Sequence, residues 1–476
     1  MSVLTGKKHV HCVGIGGIGL SAIAEILLAR GFAVSGSDMK ESEITDRLIG
    51  RGAAIYLGHR GKNISGADLI VYSAAVSPEN PELALADKLG VETVTRAQAL
   101  GALMADYENS VAIAGTHGKT TTTSMISLIL KESGRDPTIL VGGNLSEIGG
   151  NVEVGGGDCF VTEACEYMDS FLSLAPKYAV ILNIDSDHLD YFMDIEHIAR
   201  SFERFAGLTP PDGAVVAYDA NPFVNGILKN LNRRAITFGF YERCSYVAAD
   251  IAFNQAGMPG FTVLHEGKTL CDVQLAIPGE HNIANALAAF ACCHDMGVDA
   301  KEIKRTVEKF EGTQRRFDPL GETENGVRVV DDYAHHPAEI AATLKAAKNI
   351  PHGELWCLFQ PHTYTRTIAL FNEFVGAFAG ADRVLMAEIY AAREKNIHRI
   401  SSKAIVDGIK ALHPEKDARY FAGFDEMAAF VRENAKPGDL VITMGAGDIY
   451  KVGEMILDLD HAVAPSQEVT RGVPIR

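Results

Sequence analysis

Gly118-Lys119-Thr120 closes the run VAIAGTHGKTTTTSM (residues 111–125), which has the parts of a phosphate-binding loop. In the pattern G-x-x-x-x-G-K-[ST], backbone N–H groups cradle phosphate oxygens, the lysine reaches the β/γ-phosphates and the hydroxyl binds Mg²⁺. The pattern's first glycine would fall at Ile113, but the nearest glycine is Gly115, so this loop is two residues short and Gly115 must supply the turn. The threonine run at 120–123 is poor in helix propensity at a helix start, so it reads as kept for its hydroxyls.

Other groups suit related chemistry. Gly14-x-Gly16-x-x-Gly19 lies between an apolar strand and a helix, where glycines allow a pyrophosphate to approach a helix N-terminus. Asp38 ends the next strand, the usual place for an acid on a ribose hydroxyl. Taken alone, this motif suits NAD, a flavin or any other pyrophosphate ligand. Glu163 and Glu166 in VTEACEYMDSF, and Asp187-His188 in NIDSDHLDYF, follow later strands. A carboxylate and an imidazole there could complete metal sites bridging nucleotide and acceptor. Asn282 starts a helix and reads equally well as an N-cap. Arg315-Arg316 is a solvated pair unless a phosphate approaches. His335-His336-Pro337, and His362 with Arg366, follow apolar strands at ligand-bearing ends, whereas MGAGDIY (444–450) could bind an anion or merely turn the chain. The eight cysteines form no CxxC pair, and Cys292-Cys293-His294 has no second ligand pair nearby, so reduced, partly buried thiols are expected.

Positioning these residues takes three α/β segments. The chain has 476 residues, which suggests about three domains. Strand–turn–helix–strand opens residues 1–107 as a Rossmann-like unit. A second unit, 108–318, starts at the P-loop and contains a β-rich stretch, 237–279, with little helical periodicity. Regular strand–helix alternation over 319–460 implies another parallel, doubly wound sheet, and 461–476 reads as a flexible tail. Hydrophobic content of 47% and charged content of 22% are those of a soluble globular protein. No apolar run spans a bilayer and the N-terminus lacks the order of a secretory signal, so a cytoplasmic location is the default. A net charge of −17 argues against nucleic acid as the main partner.

Together, GIGGIG, AGTHGKTTT, NIDSDHLD, PGEHNIANA, GTQRRF, DDYAHHP, FQPHTYTRT and MGAGDIY resemble the Mur ligases of bacterial cell-wall synthesis, in the family's order from about His9 to Asp460. DDYAHHP with FQPHTYTRT points to the alanine-adding branch. The resemblance implies a three-domain α/β enzyme: a Rossmann-like N-terminal domain binding a UDP-substrate, a central P-loop ATPase domain with a parallel sheet and a smaller β-rich part, and a Rossmann-like C-terminal domain binding the amino acid. It also implies that ATP activates the lactyl carboxylate of UDP-N-acetylmuramate as an acyl phosphate, which L-alanine attacks, and that short GTHGKT loops are normal.

Carried over by position, Gly115, Thr116, His117, Gly118, Lys119, Thr120 and Thr121 would hold the ATP phosphates, with Arg316. His281 and Asn282 would hold adenine, and Asp332 the nucleotide ribose. Thr120 and Glu163 would bind one Mg²⁺, and His188 a second near the acceptor carboxylate. Gly14, Gly16, Gly17, Gly19, Ser21, Asp38 and Ser73 would meet the UDP-substrate. Tyr333, His336, His362 and Arg366 would face alanine and the muramoyl group. Lys119, His188, His336 and Arg366 thus carry the catalytic roles, and domain closure is expected because Lys119 and Asp332 lie in different domains. Monomer and homodimer are equally compatible.

Two positions depart from the family's best-known patterns. No lysine lies between His188 and Lys229 where several relatives carry a carbamylated one, and Glu203 is nearest that spacing. Thr363 falls where some members place arginine. Two alternatives are a murein tripeptide recycling ligase, which shares the acceptor, and an NAD-dependent Rossmann oxidoreductase, which would leave the GKT loop idle.

Overall fold

The computed structural model describes residues 3–73, 75–189 and 191–458; the tail expected at 461–476 lies outside the described residues. The chain divides between Gln314 and Arg315 into two compact units.

The first unit holds two sheets. Strands β1 (His9–Val13), β2 (Ala33–Asp38), β3 (Ala54–Leu57), β4 (Leu69–Tyr72) and β5 (Glu92–Thr95) form a parallel sheet in the order 3-2-1-4-5. The helix Arg96–Met104 follows β5 directly, started by a capping box in which Thr95 and Gln98 satisfy each other's backbone N–H.

The second sheet comprises β6 (Asn109–Ala114), β7 (Thr138–Leu145), β8 (Gly150–Glu153), β9 (Cys159–Glu163), β10 (Tyr178–Ile181), β11 (Ala214–Tyr218), β12 (Ala235–Gly239), β13 (Tyr246–Phe253), β14 (Pro259–His265) and β15 (Lys268–Gln274). Its order, 15-14-13-12-11-10-6-9-7-8, puts β6 between β10 and β9 with all three parallel. Their carboxyl ends therefore open at one edge, where doubly wound sheets bind ligands. The β-rich stretch is not a separate layer: β13 continues the same sheet parallel to β12, and β14 and β15 follow it antiparallel.

Strands such as VAIA in β6 and YAVI in β10 are fully buried, as parallel strands covered on both faces must be. The helix Lys119–Glu132 is buried along 120–130 because it packs against the sheet and against the helices Glu280–Asp295 and Ala300–Lys309. That burial corrects the expectation for the threonine run. Thr122 and Thr123 are wholly buried and their hydroxyls find no hydrogen-bond partner, so these two pack in the core rather than serve a ligand.

The second unit contains β16 (Asp318–Glu322), β17 (Arg328–Asp332), β18 (Leu355–Phe359), β19 (Arg383–Ala387), β20 (Asp417–Phe421) and β21 (Leu440–Met444), ordered 16-17-21-18-19-20. All neighbours are parallel except β16, which pairs antiparallel with β17. Residues 315–317, expected with the middle segment, bond into this unit: Tyr333 N–H donates to the Arg315 carbonyl at 2.7 Å and Phe317 N–H to Asp332 at 3.0 Å. Among the described residues no helix is long and apolar enough to cross a membrane.

Candidate active site

Ile113 belongs to β6, and the loop proper begins at Gly115 (φ 150°). A Cβ there would lie 2.9 Å from Leu182 Cβ. Gly118 (φ 84°) caps the helix Lys119–Glu132, and a Cβ on it would collide with Asn285 Oδ1. Both glycines are thus required by the close approach of neighbouring chain. Asn183, just after β10, frames the loop. Its Oδ1 accepts from His117 N at 2.8 Å, its Nδ2 donates to the His117 carbonyl at 3.0 Å, and its carbonyl accepts from Thr116 N. The Thr116 hydroxyl accepts from Asp185 N at 2.9 Å.

Lys119 Nζ folds back over this loop, donating to the carbonyls of Gly115 and Thr116 and to both oxygens of Glu166 at 3.1 and 3.2 Å. Burial works to lower the ammonium's pKa, but Glu166 beside it outweighs burial and holds it above its ordinary value. Glu163 ends β9, its Oε1 accepting from Gly142 N at 2.7 Å. Gly142 and Gly143 of β7 leave room there, since a Cβ on Gly142 would lie 2.5 Å from Glu163 Oε2 and one on Gly143 3.1 Å from Thr120 Cγ2. Thr120, buried on the first turn of the helix, and Glu163 thus each lie against the same short stretch of β7. His188 is left-handed (φ 52°), with Nε2 3.8 Å from Asp187 Oδ2 and 4.0 Å from Glu166 Oε1. Glu203, nearest the spacing of a carbamylated lysine, is exposed on the helix Ile195–Gly207.

Asn282 is not an N-cap. The helix Glu280–Asp295 is capped by Gly279, and buried Asn282 donates from Nδ2 to the Pro278 carbonyl at 2.7 Å. It accepts from Asn285 Nδ2 at 3.0 Å, so the two amides and Gly118 are neighbours. At the first sheet, Gly14 (φ 84°) and Ile15 donate their N–H groups to the Ser37 carbonyl, and Gly16 donates to Asp38 Oδ2 at 2.9 Å. A Cβ on Gly14 would lie 3.6 Å from Ser73 Cβ, placing Ser73 beside the loop. Gly17 caps the helix Ile18–Ala29, and the buried Ser21 hydroxyl donates to the Ile18 carbonyl at 3.0 Å. Arg96 lies over Gly19, 3.2 Å from its would-be Cβ at the guanidinium, adding a cation to that helix start.

In the second unit Asp332 ends β17 with its carboxylate turned inward, accepting from Ala334 N at 2.7 Å and Phe317 N at 3.0 Å. Burial pushes it up to about 6 against the pull of Arg316. Arg315 is not solvated, unlike the expectation for the pair. Its fork donates to Asp331 at 2.8 Å and to the carbonyls of Gly445 and Gly447 at 2.7 and 3.2 Å, and Tyr333 and Tyr450 lie against it. The MGAGDIY turn thus receives an arginine. Arg316 lies 5.2 Å from the same Tyr333 ring.

His336 caps the helix Pro337–Ala347 in a capping box with Glu339. His335 stands 6.0 Å from His362, which stacks on Tyr390 at 5.7 Å, and Arg366 reaches His362 Nδ1 at 3.2 Å. His335 and His362, beyond the ends of β17 and β18, are brought together here. Thr363 is left-handed (φ 67°) and donates its N–H to the Tyr390 carbonyl at 2.9 Å. All eight cysteines are free, and burial raises the thiols of Cys292 and Cys293.

Three family descriptions cover most of the chain: Mur ligase family, catalytic domain (residues 9–108), Mur ligase middle domain (113–293) and Mur ligase, glutamate ligase domain (315–447). A UDP-N-acetylmuramate–L-alanine ligase of Alkaliphilus metalliredigens is 50% identical over 94% of this chain and 97% of its own length. The chain belongs to the Mur ligase family. A ligase of the same name from Acetivibrio thermocellus is 51% identical over 96% of this chain and 97% of its own. The crystal structure of a UDP-N-acetylmuramate–alanine ligase from Thermotoga maritima superposes with a TM-score of 0.78 at 30% identity, covering 95% of this chain and 98% of the other.

As a Mur ligase, the chain has residues at its P-loop and at its first glycine loop that the motifs alone do not reveal. Asn183 and Asn285 stand inside NIDSDHLD and PGEHNIANA with no chemistry of their own to mark them, Arg96 lies in no motif, and each is found only by the neighbour it touches. Glu166 was visible as an acid, but nothing in the spacing shows that it, rather than Glu163, takes Lys119.

Proposed function

We infer that the chain joins L-alanine to the lactyl carboxylate of UDP-N-acetylmuramate, converting ATP to ADP and phosphate through an acyl phosphate, in the synthesis of peptidoglycan precursors. The observation that carries this is the convergence of Lys119, Glu163, Glu166 and His188 at the carboxyl ends of β6, β9 and β10, in a chain about half identical to ligases of that name. That identity also favours it over the tripeptide recycling ligase and the oxidoreductase.

A carboxylate is a poor electrophile because oxide would have to leave. Transfer of the γ-phosphoryl group to one lactyl oxygen makes phosphate the leaving group. The alanine amine then attacks the acyl carbon, and the tetrahedral adduct expels phosphate. Such transfers depend chiefly on positioning and charge neutralisation. Lys119, exchanging Glu166 for phosphate oxygens, supplies the charge on the β/γ-phosphates. Backbone N–H groups of 115–121 line the rest, with Asn282 and His281 on the adenine and Arg316 and Asp332 on the nucleotide. The hydroxyl of Thr120 and the carboxylate of Glu163, which both lie against the Gly142–Gly143 stretch, are hard oxygen donors of the kind Mg²⁺ takes and would hold one such ion. His188 suits a second ion toward the acceptor. Mg²⁺ would supply charge neutralisation and a template for the phosphates.

The glycine loop with Gly14, Gly16, Gly17, Gly19, Ser21, Asp38 and Ser73 takes the UDP moiety. Tyr333, His336, His362 and Arg366 serve alanine and the muramoyl group. The ATP-consuming reaction is placed in the cytoplasm.

The test is phosphate release from ATP in the presence of UDP-N-acetylmuramate, with and without L-alanine. Release that depends on alanine is expected. Release without alanine dependence, or equal rates when the tripeptide replaces alanine, overturns the reading.

A further inference from the structure

After β9 the chain passes through Glu166 into the segment Tyr167–Ser173, where consecutive residues Met168 (φ 53°) and Asp169 (φ 55°) are both left-handed. His188, in the loop after β10, is left-handed as well. Non-glycine residues in this region are strained and persist only where their surroundings over-determine them. Here the surroundings converge on one carboxylate. Asp169 accepts from the Ser201 hydroxyl, from Tyr191 Oη at 3.2 Å and from Arg204 at 3.3 Å.

Those three donors come from different places. Ser201 and Arg204 stand on the helix Ile195–Gly207, whereas Tyr191 belongs to the His188 loop and donates its backbone N–H to the His188 carbonyl at 2.9 Å. On its own loop, Asp169 donates its N–H to the Glu166 carbonyl at 2.9 Å. Tyr167 lies between, its ring 4.7 Å from that of His188 and 6.2 Å from that of Tyr191. The far end of the segment is fixed independently: Phe171 stacks on Phe205 at 4.7 Å, and Gly101 has no room for a Cβ against the Ser173 carbonyl. The span between Glu166 and that anchor has Asp169 as its tether to the helix.

We propose that Asp169 is a positioning residue: its carboxylate locks the loops after β9 and β10 onto the helix Ile195–Gly207 and so sets His188 and Glu166 in place. The catalytic consequence rests on the reading of His188 as a ligand on the acceptor side, but the positioning belongs to the protein without ligands.

Two variants of the full chain separate tether from strain. Asp169→Gly removes the carboxylate and relieves one left-handed residue, whereas Met168→Gly relieves the other and keeps the carboxylate. Hydrogen exchange of residues 186–192, measured without nucleotide or metal, should rise about tenfold in Asp169→Gly. Half-saturation by Mg²⁺ in the phosphate-release assay should rise about 10- to 100-fold in the same variant, the range found when outer partners of metal ligands are lost. Met168→Gly should match wild type in both. Asp169→Asn, which keeps an acceptor for Ser201, should fall between.

Wild-type exchange over 186–192 in Asp169→Gly overturns the proposal. So does a Met168→Gly protein that behaves like Asp169→Gly, because relief of strain rather than loss of the tether would then be the cause. If wild type itself shows no alanine-dependent phosphate release, the functional reading fails while the exchange result still decides the tether.

Discussion

Lys119 shows how a single side chain is held ready at the residue scale. With Glu166 at 3.1 Å it is a paired, half-buried cation, and a nucleotide must offer it something better than a carboxylate and two loop carbonyls. Lys119→Ala should lower turnover by roughly 10²- to 10³-fold or more, as loss of one transition-state donor does. Affinity for UDP-N-acetylmuramate, followed by calorimetry, should stay near wild type, and its loss would reassign the glycine loop. Asp332 makes a second prediction of this scale. Burial raises it from 3.8 to about 6, so the folded state holds its proton more tightly than the unfolded one. The cost of ionising it is absent below about pH 4, grows up to about pH 6 and is constant above, reaching about 3 kcal/mol. Asp332→Asn should therefore stabilise the second unit at pH 8 and not at pH 4. Parallel stability–pH curves for the two proteins would count against it.

Among elements, the strand–loop–helix unit 109–132 sets the site, and its shortness is compensated by what surrounds it. Asn183 braces the loop from β10 and Asn285 braces Gly118 from the helix Glu280–Asp295. Gly118→Ala meets two obstacles, a φ of 84° and the Asn285 amide. It should destabilise by about 1–3 kcal/mol and abolish nucleotide binding. Adding Asn285→Ala should recover the steric part and leave the backbone part, which chemical denaturation of the single and double variants resolves. Full recovery would show that the backbone strain is negligible.

For the whole molecule, the division at Gln314–Arg315 makes two units with separate cores, and units joined this way melt separately unless a large apolar interface couples them. The P-loop lies wholly in the first. ADP with Mg²⁺ at 100 times its dissociation constant should stabilise that unit by about 2.7 kcal/mol in calorimetry. Lys119→Ala should erase most of the shift. A shift of equal size in the variant would place the nucleotide elsewhere.

The order of elements, the two glycine loops and the strand-end histidines were legible in the sequence, because local rules govern them: glycine where φ is positive, apolar runs where a parallel strand is buried, polar residues where a strand ends. Register and partnership were not. The threonine run looked functional, yet Thr122 and Thr123 face the core, because only the packing of the helix Glu280–Asp295 against their helix decides which side is dry. Arg315 and Arg316 are adjacent and alike in sequence, but the turn of the chain at Arg315 (φ 64°) sends its side chain to Asp331 and the Gly445–Gly447 carbonyls. Glu163 and Glu166 are separated by two residues, and the end of β9 between them gives one to Gly142 and the other to Lys119. Asp169 carried no signal at all, since its three partners come from 22, 32 and 35 residues away. Chemistry that depends on residue type and local backbone was set by the sequence alone. Chemistry that depends on which charge meets which was decided by the tertiary fold, where distance and burial fix the strength of each pairing.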